Sequence, residues 1–223
     1  MSVANAELDV LRATLDARSP RGGAAKRVFD IIAGTALLIC ALPAMFFIAV
    51  ILFSTDRGPV FFAHERIGHR GKPFRCLKFR SMVTNSQEAL ARHLEMFPQA
   101  RLEWEANQKL RNDPRITPLG RFLRETSLDE LPQLINVIRG DMSLVGPRPI
   151  VQAEIVRYSA QITAYVSTRP GITGLWQVSG RSDVEYEERV ELDSRYVREW
   201  SFFGDIMILL RTVKVVLCRT GSR

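Results

Sequence analysis

From Ile31 to Phe53 the chain runs 23 residues without a charge, fourteen of them Ile, Leu, Val, Phe or Met. As a helix rising ~1.5 Å per residue, the run is long enough to cross a ~30 Å hydrocarbon core. A cleaved leader fits poorly: the run starts thirty residues in, exceeds an ordinary leader's apolar segment, and gives way to Phe53-Ser-Thr-Asp56 with no small-residue cleavage site. A core helix of so short a chain would not be apolar all round. Pro43 lies just past the middle, where it removes one backbone hydrogen bond and crowds the preceding turn. Arg12, Arg18, Arg21, Lys26 and Arg27 precede the run, and Arg57, Arg66, Arg70, Lys72, Arg75, Lys78 and Arg80 follow it. Both flanks therefore ask to be cytoplasmic, which a re-entrant helix broken at Pro43 satisfies and a straight span does not. A spanning helix that tolerates its proline is the alternative.

Elsewhere the pattern is that of a small mixed domain. Residues 1–25 hold a weak helical repeat at Leu8, Leu11 and Leu15, then the breaker string Ser19-Pro-Arg-Gly-Gly23, and read as a loose lead-in. Pro59 to Ala63 and Phe74 to Arg80 are β-prone runs around a Gly68/Gly71 turn, predicting a hairpin with Lys78 and Arg80 on one strand face. Gln87 to Arg111 predicts helix interrupted near Pro98, and Leu131 to Ile138 predicts another. Trp200 to Leu210, followed by Arg211, Lys214 and Arg219, reads equally as a helix lying in the headgroup zone or as an ordinary core helix.

Composition narrows the partners. Thirty-one Lys and Arg against 24 Asp and Glu give a net charge of +7, which favours phosphate-rich ligands: nucleotide, nucleic acid or anionic lipid. Cys40, Cys76 and Cys218 form neither a disulfide framework nor a zinc site, and His64, His69 and His93 show no metal-ligand spacing. No Walker A or dinucleotide glycine motif is present, and Ser143 and Ser179 lack a nucleophile-elbow setting.

The acidic pair Asp129-Glu130 stands just ahead of a predicted helix, whose terminal N–H groups would keep an aspartate ionised and able to attack or to hold a divalent cation. Ser127-x-x-Glu130 also matches a capping box, in which Glu130 needs no further role. Arg115, Arg121, Arg124, Arg139, Arg148, Arg169 and Arg181 surround the pair in sequence, most of them next to Gly or Pro. On rigid turns such guanidiniums offer planar forks to phosphate oxygens.

Lys26-Arg-Val-Phe-Asp30, Leu77-Lys-Phe-Arg-Ser-Met82, Arg124-Glu-Thr-Ser-Leu-Asp-Glu-Leu-Pro-Gln133, the string from Asn136 to Pro149 ending Gly-Pro-Arg-Pro, and Arg169-Pro-Gly-Ile-Thr-Gly174 together closely resemble the bacterial sugar transferases, the monotopic phosphoglycosyl transferases. The resemblance covers about residues 26–220. It implies an α+β, mostly helical fold with a re-entrant membrane helix over 26–56 and a cytoplasmic catalytic domain over 57–223 on the inner membrane. It implies Asp129 as nucleophile on a UDP-sugar, Glu130 and Asp129 as holders of Mg²⁺, and Arg148 as a phosphate ligand, with Lys78, Arg124, Arg169 and Arg181 as further candidates. UMP would leave, and undecaprenyl phosphate would take up the sugar phosphate, galactose or glucose being the expected hexose of an exopolysaccharide. Many relatives carry Ser-Pro at the membrane break where this chain has Leu42-Pro43. A homo-oligomer is allowed by this reading, and nucleic acid is not expected as a partner. The rival is a membrane-tethered basic protein that binds nucleic acid or anionic lipid and uses Asp129-Glu130 only to cap a helix.

Overall fold

The computed structural model describes residues 20–107, 110–180 and 185–218. Its longest element is α1, Gly23–Asp56, which at ~1.5 Å per residue extends roughly 50 Å. The helix continues through Pro43, which sits on its exposed side, so the expected interruption there is absent from the helical assignment. Lys26, Asp30, Gly34, Leu38, Ala41, Met45, Ile48 and Leu52 recur at intervals of three or four residues and turn toward the domain. Val28, Ile32, Ile39, Phe46, Phe47 and Phe53 form the opposite face, each more than half exposed. Both ends of α1 thus rest on the same folded body, with an apolar back between them that no described element covers.

Buried polar groups fasten the start of α1. Lys26 pairs with Asp205 at 2.5 Å, and Asp205 also accepts from Tyr196 Oη and Trp200 Nε1. Asp30 accepts from Ser143 Oγ and the Leu144 N–H, both at 3.0 Å. The basic flank that asks to be cytoplasmic is therefore partly built into the interior. At the other end Met45, Ile48 and Leu52 pack with Phe79 and Leu123.

After α1 comes the hairpin of β1 (Phe61–Ile67) and β2 (Pro73–Phe79), antiparallel with Phe62 opposite Lys78 and His64 opposite Cys76, joined by a tight turn at His69–Gly71. Arg80 falls beyond β2 and donates to the Leu52 carbonyl, so it does not share the Lys78 strand face. Helices α2 (Ser86–Met96) and α3 (Pro98–Asn107) meet at Pro98, where proline opens the second helix at no hydrogen-bond cost. Then follow α4 (Pro118–Glu125), α5 (Gln133–Arg139) and β3 (Ser143–Val145), which pairs in parallel with β4 (Gly171–Thr173). Between those strands lie α6 (Ile155–Tyr158) and α7 (Ile162–Val166); α8 (Leu175–Val178), α9 (Tyr186–Arg198) and α10 (Phe202–Cys218) complete the chain. The architecture is helical with two small sheets.

Helix α5 is the central strut. Gly34 lets α1 approach it closely, since a Cβ there would meet Val137 Cγ1 at 3.2 Å. Asn136, 1% exposed, accepts from the Leu77 N–H and donates to the Arg75 carbonyl, so its amide acts as a short extra strand beside β2. That clamp sets the position of Lys78, one residue further on.

Replacing Lys26 by Met leaves Asp205 buried without its cation. It is expected to lower unfolding free energy by about 3–5 kcal/mol, measured by urea denaturation, while Lys72→Met at an exposed position changes it little.

Candidate active site

Asp129 and Glu130 lie in a 3-10 turn, Leu128–Glu130, that leads through Pro132 into α5. Ser127 enters the turn with φ 58°, a left-handed conformation that costs a non-glycine residue about 1 kcal/mol or more. The result leaves Asp129 6% exposed and Glu130 half-buried at the rim. The capping box does not form: Ser127 makes no side-chain bond to the turn, and Glu130 accepts from Lys78 Nζ at 2.6 Å instead. The same ammonium is 3.6 Å from Asp129 Oδ2, so one cation serves both carboxylates. The rival reading, which needs Glu130 only as a cap, loses its premise.

Arg124, from the last turn of α4, donates Nε to Ser81 Oγ at 2.8 Å and adds positive charge near Asp129. Burial pushes the Asp129 carboxyl above its ordinary value, and Glu130 adds to this; Lys78 and Arg124 oppose the shift without cancelling it. Desolvation therefore outweighs the helix-terminus effect anticipated from sequence. Lys78 experiences the converse: burial pulls it down, but Glu130 and Asp129 together hold it above its usual value. A buried aspartate and a half-buried glutamate held by one ammonium and flanked by a guanidinium form an arrangement that can receive a phosphate and present a nucleophile to it.

Arg148, on the loop after β3, lies within electrostatic reach of Glu130 and with its guanidinium 5.5 Å from the centre of the Trp176 ring. Burial and neighbouring Arg189 draw its pKa down. Arg169 is elsewhere: its Nε donates to the Gly140 carbonyl at 2.8 Å, while Arg27 donates to the Val137 and Ile138 carbonyls. These two arginines satisfy the orphan carbonyls at the end of α5, so Arg169 holds the strut and is not gathered with Asp129. Arg181 lies outside the described residues. Arg115 is likewise occupied, forked onto Asp113 and stacked over Trp104.

Several charged residues escaped the reading of the sequence. Arg66 follows Lys78's partner Phe62 by four residues on β1 and so shares its face, a link hidden because the strand was expected to end at Ala63. It lies 3.8 Å from Glu154, which in turn is 3.5 Å from Arg189 Nη2. Asp193, one turn beyond Arg189 on α9, is 2% exposed and accepts from Tyr158 Oη at 2.7 Å and from the backbone N–H of Arg148. Burial pushes its carboxyl up to about 7, its hydrogen bonds and the two arginines pulling the other way.

Among the described residues no three His, Cys, Asp or Glu side chains gather as a ready-made metal cage. Asp129 and Glu130 nevertheless suit a hard cation that takes one or two carboxylates and completes its shell with phosphate oxygens and water.

A family model described as "Bacterial sugar transferase" matches residues 21–219. The chain is 55% identical over 197 residues to the undecaprenyl-phosphate galactose phosphotransferase of Salmonella typhimurium, covering 88% of this chain and 41% of that protein. It is 48% identical over 203 residues to the exopolysaccharide production protein ExoY of Rhizobium meliloti, covering 91% and 90% respectively. To the UDP-glucose:undecaprenyl-phosphate glucose-1-phosphate transferase of Escherichia coli it is 40% identical over 196 residues, covering 84% and 39%. The chain thus spans about two fifths of two of these relatives and nine tenths of the third.

Because the folded-state pKa of Asp193 is raised above 3.8, its contribution to stability is complete below that pH and is lost as pH rises through about 7. Asp193→Asn, which cannot ionise, should therefore show a smaller fall in unfolding free energy across that window than the wild type, measured by denaturant titration at successive pH values.

Proposed function

The chain belongs to the bacterial sugar transferase family, and on that premise we propose that it moves a hexose-1-phosphate from a UDP-sugar to undecaprenyl phosphate. UMP is released, and the reaction is the first membrane step of exopolysaccharide assembly. The observation that carries the proposal is the buried Asp129 carboxylate, fixed beside Lys78, Glu130 and Arg124 with Arg148 close to the pair. In the first half-reaction an Asp129 oxygen bonds to the sugar-bearing phosphorus and the bond from that phosphorus to UMP breaks. In the second, an oxygen of the lipid phosphate bonds to the same phosphorus and frees the aspartate, leaving a lipid diphosphate sugar. Lys78 and Arg148 offset the charge of the diphosphate as the carboxylate approaches. Asp129 and Glu130 would hold Mg²⁺, which supplies further charge neutralisation on the phosphate oxygens. Galactose is the first hexose to test and glucose the second, by the identities to the relatives that carry those names.

The apolar back of α1 is the surface we assign to lipid, with the domain on the cytoplasmic face of the inner membrane. A helix crossing the bilayer would put its ends on opposite sides, whereas Lys26 and Leu52 are both packed into one body. This favours a placement of α1 that keeps both of its ends on the same side of the membrane, with Pro43 on its lipid face. Single cysteines at Ala25 and Arg57 should then both resist an impermeant maleimide applied from the periplasm; labelling of either from outside contradicts this placement.

Purified protein with Mg²⁺, undecaprenyl phosphate and a panel of UDP-sugars should release UMP with one or a few of them, and Asp129→Asn should lower that rate by ~10³-fold or more. Full activity in the near-isosteric variant would remove Asp129 as nucleophile. The acid limb of the rate should lie above the ordinary carboxylate range, because burial raises the Asp129 pKa and only its ionised form attacks.

A further inference from the structure

Beyond Arg148 lies a second polar cluster that the chemistry at Asp129 does not use. Arg148 and Arg189 both lie over the Trp176 ring, at 5.5 and 4.9 Å from its centre, and Arg189 is also 4.9 Å from the Tyr186 ring. Trp176 Nε1 and Gln177 Oε1, neighbours on α8, are buried polar atoms without a hydrogen-bond partner among the described residues, as is Arg189 Nε. Buried donors and acceptors are rarely left so, and a ligand that pairs with them removes a standing cost. Arg66, Arg148 and Arg189 surround Glu154, which is paired with the first and third. Three guanidiniums against that carboxylate leave positive charge for an anion.

Position tells which part of a ligand belongs there. The hairpin register puts Phe62 opposite Lys78, and Arg66 is four residues along the same strand, about 13 Å at ~3.3 Å per residue. The cluster therefore stands at the far end of a line that begins at Asp129, and Arg148, within electrostatic reach of Glu130 and also of Arg66, Glu154 and Arg189, links its two ends. In a nucleotide-sugar the hexose hangs on the phosphorus that Asp129 attacks, so the hexose lies at the near end and the nucleoside at the far one. Uracil presents an N–H flanked by two carbonyl oxygens. An indole N–H and an amide oxygen supply the complementary donor and acceptor.

We propose that Trp176 and Gln177 form the nucleobase subsite, Trp176 Nε1–H donating to a uracil carbonyl and Gln177 Oε1 accepting the uracil N–H, with Arg148 and Arg189 on the phosphate that leaves with the nucleoside. This assignment rests on the UDP-sugar reading above. It makes the stack of arginines on Trp176 a device that holds two cations apart from each other and aimed at the departing UMP.

The test is calorimetric titration of the full-length protein in lipid nanodiscs with UMP, CMP and inorganic pyrophosphate, for wild type, Trp176→Phe and Gln177→Ala, each first shown to unfold at the wild-type temperature. Trp176→Phe keeps the ring and removes only the N–H. Each variant should bind UMP about fivefold or more weakly, pyrophosphate should bind all three alike, and Gln177→Ala should lose the preference for UMP over CMP. Unchanged UMP affinity in both variants, or equal losses for UMP and pyrophosphate, overturns the subsite. UMP release from UDP-sugar is followed in the same wild-type preparation. Release with unchanged UMP affinity in the variants leaves the transferase standing and the subsite wrong; UMP binding through these residues with no release on any UDP-sugar supports the subsite and sinks the transferase.

Discussion

A helix whose outer face is as apolar as lipid is kept on this domain by buried charge. Lys26 with Asp205, and Asp30 with Ser143 and the Leu144 N–H, tie its first turns to α10 and to β3. Such polar contacts are unforgiving of displacement, because an unpaired buried charge costs far more than a lost apolar contact. They fix the rotation of α1, and hence which residues form the packed stripe and which the outward face. The close passage of Gly34 over Val137 then fixes α1 against α5, the helix that the acidic pair leads into.

Helix α5 transmits that placement to the chemistry. Its carbonyl end is held by Arg27 and Arg169, and its middle, through Asn136, grips the backbone of β2 on either side of Cys76. The strand period then delivers Lys78 to Glu130 and Asp129. A site built this way has its counter-ion in place before any substrate arrives, and the left-handed Ser127 is the local strain that such a scaffold can hold.

Much of this was legible in the sequence where a signal is local. An uncharged run of 23 residues is unambiguous, Pro98 and the Gly68/Gly71 turn punctuate the helices and the hairpin, and the strings around Asp129 and Arg148 carry the family. What failed was the assignment of partners across the chain. Arg169 beside Pro170 looks like an anion ligand, yet its destination is Gly140, 29 residues earlier in the sequence. Ser127-x-x-Glu130 fits a capping box by spacing, but the turn is 3-10 and Lys78 claims the glutamate. Arg66, Arg189 and Asp193 are single charges in polar strings, and only tertiary packing shows that Arg189 and Asp193 are buried and that half-buried Arg66 reaches Arg189 through Glu154. Lys26 and Arg27 count in the sequence only as charges that set the side of the membrane, whereas their partners lie 179 and about 110 residues away.

The covalent role of Asp129 is the claim on which the rest converges, and intact mass spectrometry addresses it without a lipid acceptor. Protein incubated with Mg²⁺ and its UDP-sugar should gain the mass of one hexose phosphate, mapped by proteolysis to the peptide carrying Asp129, and should lose it when undecaprenyl phosphate is added. Turnover with no such adduct trapped on rapid quenching, or an adduct on a different residue, would contradict the account.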